Sequence, residues 1–159
     1  MEEETKLTPD EALQRLMKIC STREMCSYDM KKKMLLWSIE VQEQDKIIKY
    51  LAKEKFYSDK RYSEAFINDR IKFQKWGRVK IKHALSAKQI PEYIIDDLLE
   101  ETDEENYFEN LEEILRRKLR SVGPVKSIQE KKARLYRFAA GKGFESELIY
   151  KVLNKLIRD

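Results

Sequence analysis

The chain of 159 residues holds four glycines, three prolines, two cysteines and one histidine. Each scarcity removes a class of protein. With few turn-formers, and no alternation of Val, Ile and Thr bounded by Asn-Gly or Asp-Gly, a sheet has no support in the sequence. Without a glycine-rich loop nothing is built to cradle a nucleoside triphosphate. Cys20 and Cys26 lack companions at metal-ligand spacing and read as plain thiols, buried or exposed. His83, the single histidine, projects opposite Ile81 and Leu85, and no nucleophile with an orienting carboxylate accompanies it. No apolar run approaches the roughly 18 residues of a membrane span. The opening Met1-Glu-Glu-Glu-Thr-Lys is acidic, and no apolar segment follows it. The expectation is a cytoplasmic, monomeric protein with no cofactor, no metal site, no membrane and no catalytic residue.

What the chain does have is charge: 39% of its residues are Asp, Glu, Lys or Arg, well above the roughly 25% of an average soluble protein. The charge is arranged in blocks. Residues 1–59 carry eleven bases and twelve acids, 60–90 nine bases and two acids, 91–113 eleven acids and no base, and 116–142 ten bases with Glu130 as the only acid. Two basic blocks thus flank an acidic one, which can steer a charged partner or be compensated within the fold.

The apolar residues recur at helical spacing throughout, so the fold class is all-α. Thr8-Pro9-Asp10-Glu11 reads as a capping box with proline at the first helical position. It opens a helix with the stripe Ala12, Leu13, Leu16, Met17 and Cys20. A second helix starts at Ser27 with Met30, Met34 and Trp37, and a third carries Ile47, Ile48 and Leu51. Ser58-Asp59 caps a fourth, with Tyr62, Ala65, Phe66 and Phe73 as its main stripe and Ile67 and Ile71 as a second apolar pair. Gly77 is placed to take a left-handed conformation at its end. The fifth helix, Arg78 to Lys88, buries Ile81, Ala84 and Leu85. Pro91 opens the sixth, with Ile94, Ile95, Leu98 and Leu99. Asp103 caps the seventh, with Phe108, Leu111, Ile114, Leu115 and Leu119, and Gly123-Pro124 stops it. Ser127 with Glu130 is a further capping box for an eighth helix bearing Ile128, Leu135, Phe138 and Ala139. Gly141-Lys142-Gly143 breaks that helix before a ninth with Leu148, Ile149, Val152, Leu153 and Leu156.

Nine helices in series fall into three sets of three. Met30 and Met34, Ile81 and Leu85, and Leu135 and Ala139 share a four-residue step. Ile90 and Phe144 each follow by five residues and precede the Ile94-Ile95 and Leu148-Ile149 pairs by four. The first set fits with a short insertion between Ile39 and Ile47. A period of about fifty residues predicts three tandem three-helix repeats in an elongated, curved array. Their bounds are 9–56, 57–102 and 103–159, after a tail at 1–8.

The most informative stretch is Arg61–Ile90, where basic side chains rim the Ile81 and Leu85 seam. Arg70, Lys72, Lys75, Arg78, Lys80 and Lys82 there are candidates for pairing with phosphates or with acids on a protein partner; the plainer reading is a solvated face. No zinc-finger spacing or aromatic RNA-binding motif is present, so any contact with nucleic acid would be to backbone and shape. Trp76 beside this edge either packs over the helix end or stacks on a base or a guanidinium. The acids Asp96 to Glu105 either form a helix exit that favours the next helix's N-terminus or collect a cation.

Arg61-Tyr62, Ala65-Phe66, Arg70, Lys75-Trp76-Gly77, Ile81, Leu85, Lys88 and Ile90 together resemble the most recognisable segment of the RecX family, bacterial regulators of the RecA recombinase. Gln89 stands where that family has glycine after the lysine. The resemblance implies three tandem three-helix repeats and a protein that lies in the groove of a RecA filament on single-stranded DNA. There it would restrain filament growth, ATP hydrolysis or strand exchange in DNA repair, recombination and the SOS response. Its contact surface would be the basic rim of repeats two and three: Arg61, Arg70, Lys72, Lys75, Arg78, Lys80, Lys82, Lys88, Arg116, Arg117, Arg120 and Lys126. Weak direct DNA binding would accompany it. The alternative is a general helical DNA-binding module that acts through phosphate contacts without a recombinase.

Overall fold

The computed structural model describes residues 5–124 and 127–158, and every regular element among them is an α-helix. In order these are α1 (Pro9–Thr22), α2 (Ser27–Leu36), α3 (Val41–Lys53), α4 (Asp59–Lys72), α5 (Arg78–Ala87), α6 (Glu92–Glu100), α7 (Glu104–Ser121), α8 (Ile128–Gly141) and α9 (Ser146–Leu156). No helix among the described residues is long and apolar enough to cross a membrane.

The starts are set by side chains that satisfy the orphan amides of a first turn. Thr8 and Glu11 form a reciprocal capping box on α1. The Arg61 amide donates to Ser58 Oγ at 3.2 Å, so Ser58 caps α4. Its neighbour Asp59 is used elsewhere, accepting the Ser27 amide at 3.0 Å and thereby serving the start of α2. Asp103 accepts the Glu105 and Asn106 amides to cap α7, and Ser127 accepts the Glu130 amide to cap α8.

The ends reveal the repeat more clearly than the starts. Ser38, Gln89 and Gly143 all lie in the left-handed region, with φ of 59°, 59° and 95°. Each is followed by a buried apolar residue, Ile39, Ile90 or Phe144. In two of the three the following amide reaches back five residues, Ile39 to Met34 and Phe144 to Ala139, which is the Schellman closure with its apolar contact. Residues 38 and 89 differ by 51, as do Val41 and Glu92, the first residues of α3 and α6. The expected insertion between Ile39 and Ile47 is therefore absent. Gln44 is buried at the register of Ile95 and Ile149, with its side-chain amide bonded to the Ile39 carbonyl at 2.8 Å. A polar residue in a core position hid the alignment.

The chain divides into two compact units, residues 1–65 with 88–90 and residues 66–87 with 91–159. In the first, α3 packs on α1 and α2. Its core comprises Ala12, Leu16, Met25, Met30, Met34, Ile47 and Leu51. Trp37, expected in the core, is half-buried at its margin. In the second, α7, α8 and α9 pack mutually around Tyr107, Leu111, Leu115, Leu135, Ala139, Ile149 and Val152, and α5 packs on α6. Each buried Leu, Ile, Val or Met side chain among them contributes about 1.5–3 kcal/mol by leaving water.

Two stripes differ from expectation. On α4 the buried line is Ser63, Ile67 and Ile71 at steps of four, while Ala65 and Phe73 face solvent and Tyr62 and Phe66 are half-buried. On α7 Tyr107 is fully buried and Phe108 only partly. Tyr107, Leu111, Ile114 and Leu115 form the buried helical face, and Phe108 packs at its edge.

Candidate functional site

The turn from α4 to α5 is closed by Lys75 rather than Gly77. Lys75 takes the left-handed conformation, with φ of 55°, and the Trp76 amide bonds back to the Arg70 carbonyl at 3.0 Å. Gly77 is required for a different reason. Its amide donates to the Lys142 carbonyl at 2.8 Å, and the Val79 amide donates to the Gly143 carbonyl at 2.9 Å. A Cβ on Gly77 would lie 2.2 Å from the Gly143 carbonyl carbon. The first turn of α5 is thus hydrogen-bonded directly onto the α8–α9 turn, and only glycine permits so close an approach.

Beside this junction Arg78 closes a polar cluster. Its guanidinium meets Glu145 at 2.8 Å and Glu104 at 2.5 Å, and lies 3.9 Å from the centre of the Tyr107 ring. The Tyr107 hydroxyl accepts the Arg78 amide at 3.0 Å and donates to Glu145. Burial, with the Glu145 hydrogen bond, pushes the Tyr107 phenol up from its ordinary range. Burial alone would lower the Arg78 pKa, but the bond to Glu145 and the surrounding negative charge outweigh it and the net shift is upward. The Arg78 side chain is only 18% exposed, so this member of the expected rim holds the fold together.

Other members of the rim also meet internal acids. Lys82 bonds Asp96 at 2.8 Å and Glu92 at 3.1 Å. Lys88 bonds Asp29 at 2.6 Å, Arg61 meets Glu24 at 3.3 Å, and Arg116 and Arg117 pair one turn back with Glu112 and Glu113. The acidic block therefore compensates part of the basic ones, Arg78, Lys82, Arg116 and Arg117 among them, while Lys88 and Arg61 use acids outside it; Asp103 within the acidic block serves as a helix cap. Arg70 lies 4.2 Å from the Phe66 ring centre and 5.1 Å from that of Trp76, which meets Phe66 edge-on, and Lys80 lies 4.3 Å from the Trp76 ring. Trp76 is thus bracketed by cations at the helix end, a packing role. Lys75 bonds Asn110 at 3.1 Å, and Asn110 in turn donates to the Ile71 carbonyl. Lys72 lies 5.3 Å from the exposed Phe73 ring, and Arg120 is exposed on the last turn of α7. Lys126 lies outside the described residues. His83 is exposed on α5.

Not foreseen from sequence is a groove of about 600 Å³ between the α4–α5 turn, α7 and α8, lined by Phe73, Lys75, Trp76, Arg117, Lys118, Phe138 and Lys142, among others. Its residues come from three separate helical stretches, so spacing alone could not join them. The tyrosine of the polar cluster had a signal, its place on the α7 stripe, but the adjacent Phe108 masked it.

Residues 58–99 match the family pattern described as RecX, second three-helix domain, and residues 104–153 match RecX, third three-helix domain. A regulatory protein RecX of Clostridium tetani is 36% identical over 117 residues, which are 71% of this chain and 52% of that protein. One of Neisseria meningitidis is 28% identical over 148 residues, 92% of each. The chain spans about half the length of the clostridial relatives it matches and most of the neisserial one. Among solved structures, RecX from Lactobacillus salivarius superposes with a TM-score of 0.80 at 19% identity, over 93% of this chain and 96% of that one. A further structure of regulatory protein RecX superposes with a TM-score of 0.82 at 21% identity, over 92% and 73% of the two chains. These two likenesses establish a common fold. With consecutive family domains matched across its second and third helix triplets, and tandem triplets as its architecture, the chain belongs to the RecX family of regulatory proteins.

Proposed function

We propose that this chain is a non-enzymatic regulator of the RecA recombinase. It binds the RecA–DNA filament on single-stranded DNA and restrains filament growth, ATP hydrolysis and strand exchange during repair and recombination. It acts in the cytoplasm, as a monomer, without a cofactor. Family membership is the observation that carries this reading. It is supported by cations that remain on the surface of α4 and α7, Lys72, Arg116, Arg117 and Arg120, which suit an acidic protein groove or a phosphate backbone.

Reversing charge at these exposed positions is the appropriate probe, because Arg78 is held within the fold. In fluorescence anisotropy at physiological salt, affinity for a labelled single strand should be modest for the protein alone. It should rise severalfold or more once recombinase and a non-hydrolysed nucleotide are added. Equal affinity with and without recombinase would replace this reading with a general DNA-binding module.

A further inference from the structure

The Lys82 ammonium on α5 is held by two carboxylates of α6, Asp96 at 2.8 Å and Glu92 at 3.1 Å. The two acids stand one turn apart, with Glu92 the first residue of α6, so they meet one cation from the same helical face. Ile81, Leu85 and Ile95 are buried and α5 packs on α6, which fixes the backbones that carry the three charges. The charges themselves stay at the surface: the Lys82 side chain is 40% exposed, Asp96 45% and Glu92 74%. The hydrogen bond to Asp96, and next that to Glu92, raise the Lys82 pKa. Lys80 on the same helix lies instead over the Trp76 ring, 4.3 Å from its centre. A phosphate has open access to the Lys82 ammonium, but it must displace carboxylates that already take two of the three N–H donors. Exposed ion pairs are worth a factor of about 1.5 to 5 each, so two together hold Lys82 back by about twofold to twentyfold.

We infer that Glu92 and Asp96 are an internal counter-ion, a stand-in for phosphate that withholds Lys82 from a nucleic-acid backbone until it is displaced. This autoinhibitory contact rests on the reading that exposed cations of the chain meet phosphates. It also sets a signature in salt. A cation neutralised within the fold adds little to counter-ion release, because its carboxylates take up ions from solution as they are freed.

The test compares the full chain with the double variant Glu92→Gln, Asp96→Asn, and each of these with Lys82→Gln added. Both amides keep the size of exposed side chains, so the variants should fold with unchanged helicity by circular dichroism. The first readout needs no ligand: acetylation of Lys82 by an N-hydroxysuccinimide ester at neutral pH, followed by mass spectrometry. The double variant should label Lys82 at least about twofold faster, as release of the ammonium lowers its pKa, while Lys72 is labelled at the parent's rate. The second readout is affinity for a labelled oligothymidylate across a salt series. The double variant should bind about twofold to twentyfold more tightly, with the slope of log affinity against log salt steeper by about 0.7, the value for one phosphate on a single strand. Lys82→Gln should remove that gain, and should cost more in the double variant than in the parent. Equal labelling of Lys82 in parent and double variant overturns the inference. So does a gain in affinity that survives Lys82→Gln, which would be the plain loss of two negative charges. Oligothymidylate that binds neither parent nor variants would instead count against phosphate contact by this chain, and the labelling then decides the internal counter-ion by itself.

Discussion

Replacing Gly77 with alanine adds one methyl group where the backbone of the α8–α9 turn already stands. The new Cβ would sit 2.2 Å from the Gly143 carbonyl carbon and 2.3 Å from the Phe144 nitrogen, and those atoms belong to a backbone rather than to a flexible side chain. Relief requires α5 to retreat, which lengthens the Gly77 to Lys142 and Val79 to Gly143 hydrogen bonds. Overpacking of this kind costs about 1–3 kcal/mol, and each lost backbone bond about 1 kcal/mol more. The sum is about 3–5 kcal/mol, a large part of the roughly 5–15 kcal/mol that holds a natural domain together. Gly141→Ala is the internal control. Nothing lies within 4 Å of its added Cβ, and it should be neutral or gain up to about 1 kcal/mol by restricting the unfolded chain. In urea unfolding followed by circular dichroism, the Gly77→Ala midpoint should fall by more than about 1 M for slopes of 1–3 kcal/mol/M. A Gly77→Ala protein within about 0.5 kcal/mol of its parent would refute the close-approach argument.

Two further outcomes follow from buried groups. Arg78→Ala leaves Glu104 and Glu145 without their shared guanidinium and uncovers the Tyr107 ring, while the backbone amide that the Tyr107 hydroxyl accepts is kept. It should cost about 1–2 kcal/mol in thermal or urea unfolding, because both acids are left partly in water, whereas Lys72→Ala should cost less than about 0.5 kcal/mol. Burial raises the Cys26 thiol from 9.0 to about 11. Stability from keeping it protonated is therefore complete below pH 9 and lost as pH rises toward 11. Relative to Cys26→Ala, the parent should lose stability over that interval, and Cys26 should resist a thiol reagent at pH 8 in the folded state. Parallel pH profiles for the two proteins would contradict the burial argument.

Much of the helix order was legible because local chemistry decides it. Thr8 with Glu11, Ser58, Asp103 and Ser127 cap helices where the sequence placed them. The apolar steps Met30–Met34, Ile81–Leu85 and Leu135–Ala139 are buried as periodicity requires. What misled were positions where one residue does a neighbour's expected work. Gln44 fills an apolar register, Lys75 takes the left-handed turn that Gly77 was expected to take, and Tyr107 rather than Phe108 enters the core. The basic residues were legible as a charge block, but not as paired or unpaired. That distinction depends on acids distant in sequence, such as Glu145 for Arg78 and Asp29 for Lys88.

The regulatory claim is tested most directly by recombinase ATP hydrolysis on single-stranded DNA, measured as this protein is titrated in. The account predicts that the rate falls with increasing protein, and that the fall is weakened by charge reversal at Lys72, Arg116 and Arg120 in a protein that remains folded. A rate that stays constant at protein concentrations saturating the filament would contradict it.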